Sequence, residues 1–81
     1  MYGIVTSKHR PVKEVWRLRD PGTGRVQSCE LRDDSTAGGG WDVTMLQDDE
    51  LLFSRLCIDE RGARYVAQAF KQDTLKAGWV E

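Results

Sequence analysis

Chemistry-bearing residues are scarce in this chain. It holds one histidine, His9, and two cysteines, Cys29 and Cys57, with 27 residues between them. Zinc sites need three or four Cys or His ligands at short spacings, so no zinc pattern is present. Nucleophilic catalysis needs a base beside the nucleophile. His9 sits between Lys8 and Arg10, ahead of Pro11, and reads as a solvated loop residue. Charge of one sign is also missing: 12 Lys and Arg against 13 Asp and Glu leave a formal net charge of −1. That balance argues against a general polyanion binder, though not against a local basic patch. No apolar run approaches the roughly 18 residues of a membrane helix, and no N-terminal apolar region resembles a signal peptide. The expectation is a cytoplasmic protein, where free thiols are usual, with no membrane partner and no cofactor.

The carboxylates cluster as Asp33-Asp34 and Asp48-Asp49-Glu50. Both clusters fall in predicted turns, where nothing raises a carboxyl pKa as acid–base catalysis requires. The triple glycine Gly38-Gly39-Gly40 has no Lys-Ser/Thr after it and precedes a strand, so it is not a phosphate-cradling loop. No enzyme activity is expected, and no catalytic, cofactor or metal residue is assigned.

What is present is a clear architecture. Lys13 to Arg19 reads as a strand, with Trp16 and Leu18 on one face together with Val12 and Glu14. Asp20-Pro21-Gly22-Thr23-Gly24 is a strong turn. Arg25 to Arg32 is a second strand, with Gln27, Cys29 and Leu31 on one face. Asp33 to Gly40 is a linker. Trp41, Val43 and Met45 alternate with Asp42 and Thr44 at the period of a half-buried strand. Gln47 to Glu50 turns the chain. Leu51 to Ile58 is almost continuously apolar, as expected of a central strand or one covered on both faces. Asp59 suits a helix N-cap. The helix runs to about Lys76 or Ala77, with Gly78 as terminator, and Ala63, Val66, Ala67, Phe70, Thr74 and Ala77 form its inner stripe. The sum is an α+β fold, ββββα: a four-stranded antiparallel sheet of two hairpins with one C-terminal helix on one face. Residues 1–11 form an arm or short edge strand, and residues 12–81 a single domain. The expected core is Trp16, Leu18, Cys29, Leu31, Trp41, Val43, Met45, Leu51, Phe53, Val66, Phe70 and Trp79.

The pieces Trp16-Arg17-Leu18, Gly40-Trp41-Asp42-Val43, Leu51 to Ser54 and Leu75-Lys76-Ala77-Gly78-Trp79 resemble a group of small uncharacterised bacterial proteins with a WRL, GW-x-V and L-x-x-GW pattern. The resemblance covers roughly residues 15 to 79. The group carries no assigned activity and its shared positions are core and turn formers, so the resemblance implies the fold and transfers no site residue. The topology alone also looks like dimeric single-stranded nucleic-acid binders of the Pur type and of a coactivator type.

Two surface readings follow. With a helix on one face of the sheet, apolar residues drawn from Val15, Val26, Leu46, Leu52, Leu56 and Ile58 remain on the other. Such a patch marks an interface, and the expectation is a homodimer through the uncovered face or an edge, or a protein partner. The alternative is single-stranded nucleic-acid binding through Arg17, Arg19 and Arg25 of the first hairpin and Arg61, Arg64 and Lys71 of the outer helix face. Trp16 or Tyr65 would then serve as a stacking platform.

Overall fold

The computed structural model describes residues 12–34 and 39–81. The arm expected over residues 1–11, with His9, and the middle of the glycine-rich loop lie outside the described residues. Strands β1 (Val12–Arg19), β2 (Val26–Asp34), β3 (Gly40–Gln47) and β4 (Glu50–Cys57) precede helix α1 (Glu60–Lys76). The strands form one antiparallel sheet in sequential order, β1-β2-β3-β4. The ββββα architecture expected from the sequence is therefore the observed one.

Turn chemistry fixes the two hairpins. The Asp20 carboxylate accepts the Gly22 N–H at 3.0 Å and the Thr23 hydroxyl at 2.8 Å, and these bonds hold its carboxyl below the usual range. In the second hairpin Asp48 and Asp49 both adopt positive φ, 52° and 68°. This left-handed pair matches the twist of a two-residue β-turn, and Asp tolerates it better than most residues. Asp48 also accepts the Val26 N–H at 3.0 Å and lies near Arg25, so the second turn is tied to the start of β2. Asp33 and Asp34, placed in a loop by the sequence pattern, instead extend β2 by pairing with Trp41 and Gly40.

The buried core is Trp16, Leu18, Cys29, Leu31, Val43, Met45, Ala63 and Ala67. Trp41, Cys57, Val66, Phe70 and Trp79 pack around it half-buried. The helix lies mainly over β2 and β3. Its two buried alanines let it approach closely, so the Trp16 indole N–H reaches the Ala67 carbonyl at 2.8 Å. Asp59 caps the helix by accepting the Gly62 N–H at 2.8 Å, a bond of a type worth about 1 kcal/mol. The glycine that weakens the first turn by propensity therefore supplies the capped donor. At the other end Ala77 is the C-cap, and Gly78 follows at φ 102°.

Further sequence expectations about β1 and β4 need correction. First, β1 carries an extra residue: Glu14 faces Glu30, yet Trp16 faces Cys29. This β-bulge at Val15 switches the alternation, so Val12 and Glu14 share the face opposite Trp16 and Leu18. Second, Leu51 and Phe53 are not core; they are 65% and 46% exposed. Third, β4 is an edge strand, and from Glu50 to Leu56 every residue is exposed. The helix lies mainly over β2 and β3 and reaches β4 chiefly through the Phe53–Phe70 contact.

Cys29 lies on β2 and Cys57 on β4, with β3 between. Two strand spacings are about 9.5 Å, beyond the ~7 Å that a disulfide spans, so both thiols are free. Burial, with a smaller contribution from Glu30, pushes the Cys29 thiol up from 9.0 to about 12. A raised thiol pKa means that the folded state keeps a proton the unfolded state loses. Folding stability from this group is thus complete below the unfolded value and is lost as pH rises from about 9 towards 12. We expect native protein at pH 8 to alkylate at Cys57 and not at Cys29. We also expect urea midpoints of the parent chain to fall relative to Cys29→Ala above pH 9; parallel midpoints over that range would contradict the assignment.

Candidate interaction surface

The two edges of the sheet differ in kind. The β1 edge carries the devices that block strand addition: charged Lys13, Glu14, Arg17 and Arg19, the bulge at Val15, and a cover at its end. That cover is Val80, whose backbone exchanges two hydrogen bonds with Arg19, at 2.7 and 2.8 Å. The β4 edge carries Leu51, Leu52, Phe53, Ser54, Arg55, Leu56 and Cys57, with Arg55 as its one charge after Glu50. Ile58, just beyond, is 93% exposed. Besides Arg55, its protective device among the described residues is a bulge at Leu52, since Met45 faces Phe53 while Leu46 faces Leu51.

The cross-strand register places β4 side chains on two faces. Phe53, Arg55 and Cys57 pair with Met45, Val43 and Trp41 and lie on the helix side. There Phe53 meets Phe70 edge-to-face, with ring centroids 5.4 Å apart and planes at 85°. Leu51, Ser54 and Leu56 pair with Leu46, Thr44 and Asp42 on the open side. Apolar surface therefore reaches both faces of this one edge.

The rest of the open face is not the apolar patch expected from the sequence. Its middle is Glu14, Arg17, Ser28, Glu30, Arg32, Asp42 and Thr44, and Val15 sits at the bulge against the core. Glu14 and Arg17 are ion-paired at 2.8 Å, and Arg17 lies 3.7 Å from Asp49. Ser28, between its cross-strand partners Arg17 and Leu46, is 3% exposed.

The six cations of the nucleic-acid reading divide between the two sides of the sheet. Arg17 and Arg19 lie on the open face of β1 and Arg25 just past the first turn. Arg61, Arg64 and Lys71 lie on the helix, across the sheet. Four of them have acidic partners: Arg17 with Glu14, Arg25 with Asp48, Arg64 with Glu60 and Lys71 with Glu81. Trp16 is buried and cannot stack on a base, whereas Tyr65 is 76% exposed.

Among the described residues no three of His, Cys, Asp or Glu gather as metal ligands, and no helix is long and apolar enough to cross a membrane. The hollow beside the helix start is lined by Lys13, Leu31, Asp33, Trp41, Glu60 and Arg64; it is small and mixed in charge. The asymmetry of the two edges could have been read from the strand sequences once strand order was known, but strand order is not encoded in periodicity. No protein-family model, curated protein or solved structure matches the chain.

Proposed function

We propose that this protein is a small, non-catalytic, cytoplasmic interaction module that self-associates through the β4 side of its sheet. One observation carries the reading: β4 has the composition of a central strand and the position of an edge strand. Leu51, Leu52, Phe53 and Leu56 would suit a strand flanked on both sides, yet they are 46–65% exposed. An exposed apolar edge is a template for strand addition. A chain of 81 residues also buries a modest fraction of its surface alone, so association adds stability that the single domain lacks.

Light scattering at high micromolar concentration tests this reading. The expected mass is about twice the 9.2 kDa of one chain, and Leu56→Lys shifts it to that of one chain. A parent chain that stays at single-chain mass overturns the proposal. The nucleic-acid reading has less support, because its cations face opposite ways and four are ion-paired. Fluorescence anisotropy with labelled single-stranded oligonucleotides would restore it if binding were tight at about 50 mM salt and collapsed at about 200 mM.

A further inference from the structure

Resting on that reading, we infer that the occupant of the β4 edge is β4 of a second copy, antiparallel about a two-fold axis at Ser54, joining two four-stranded sheets into one of eight strands. Three observations lead to edge pairing rather than face packing. Among the described residues the β1 edge is capped at Arg19 by Val80 and carries charge along its length, so β4 is the edge open to apolar strand addition and a closed pair forms instead of a filament. The open face is laid with Glu14, Arg17, Glu30, Arg32 and Asp42, which a face-to-face dimer would have to strip of water. The apolar side chains of β4 occupy both faces of the edge, and only an in-plane neighbour touches both.

The register follows from charge. A two-fold axis perpendicular to the sheet keeps helix-side residues opposite helix-side residues. An axis at Arg55 would place two guanidinium groups directly across from each other, which is unfavourable. An axis at Phe53 would set Leu56 against Glu50 of the second copy. The axis at Ser54 sets Arg55 across from Phe53 of the second copy, twice by symmetry, where a cation meets an aromatic ring. It also brings Leu56 beside Leu52 of the second copy. In this arrangement β4 becomes central, as its composition requires. The Phe53–Phe70 pair then stands at the seam between the two helices' sides of the sheet.

Disulfide trapping tests the geometry. Directly opposed antiparallel residues have Cα atoms about 4.5–5.5 Å apart, within disulfide reach. In a Cys57→Ser chain, with Cys29 buried and unreactive, Ser54→Cys and Thr44→Cys are oxidised separately at high micromolar concentration. Thr44 is the open-face neighbour of Ser54 on β3 and reports face packing. The expected result is a covalent dimer from Ser54→Cys in at least about tenfold greater yield than from Thr44→Cys. If Thr44→Cys traps the dimer and Ser54→Cys does not, the edge geometry is overturned while the self-associating module stands. If neither traps and light scattering gives single-chain mass, both fail.

Discussion

Trp16→Ala should lower the unfolding free energy by about 3–5 kcal/mol, as expected for deleting a buried Trp. A domain of this size holds about 5–15 kcal/mol in total, so a large part of the population unfolds under mild conditions. Two losses add. The side chain is 7% exposed and lies between the sheet and the helix, so its removal leaves a cavity under α1. The indole N–H bond to the Ala67 carbonyl also disappears, and with it a buried side-chain hydrogen bond that ties the helix to the sheet. Trp16→Phe separates the two, keeping most of the packing and losing a bond worth about 1 kcal/mol. Urea denaturation followed by far-ultraviolet circular dichroism measures both. A Trp16→Ala midpoint within error of Trp16→Phe would contradict this account of the helix–sheet contact.

Gly40→Ala is the second large effect. Gly40 opens β3 at φ +80°, and a Cβ there would sit 2.5 Å from the carbonyl oxygen of Cys57. That oxygen belongs to the backbone at the end of β4, so it cannot swing aside as a side chain would. The strand end must separate or Gly40 must leave its conformation. The left-handed backbone alone costs an L-residue about 1–2 kcal/mol, and overpacking adds about 1–3 kcal/mol. Gly24 is the matched control, since it has φ +79° with no atom within 4 Å of its Cβ position. Gly24→Ala should show the conformational cost alone. If the two substitutions destabilise equally, β3 and β4 are not held this closely at Gly40.

How far the sequence could be read differs by element. The helix was legible to its ends because Asp59 and Gly78 are local signals whose partners lie within one turn. The inner faces of β2 and β3 were legible because their alternation is unbroken, from Cys29 and Leu31 to Val43 and Met45. In β1 the bulge at Val15 moved Val12 and Glu14 to the other face. No residue there announces a bulge, since Val is a common strand former. The most informative departure is β4. Its apolar run reads as that of a covered strand, whereas within the described residues it lies at the sheet edge. Pairing with a second copy, as proposed above, would account for a strand that reads as central while Leu51 and Leu56 stand exposed at an edge. The basic residues were legible as a list but not as a surface. Arg17 and Arg64 are on opposite sides of the sheet because of strand pleat and helix placement, and their partners Glu14 and Glu60 are set by local geometry.

The most direct measurement of the central claim is amide hydrogen exchange at low and high micromolar concentration. The account predicts that residues 51–57 gain protection as concentration rises, because the outward N–H groups of β4 acquire strand partners, while β1 exchanges at the same rate throughout. Exchange of β4 that does not change with concentration, or protection that appears on β1 instead, would contradict it.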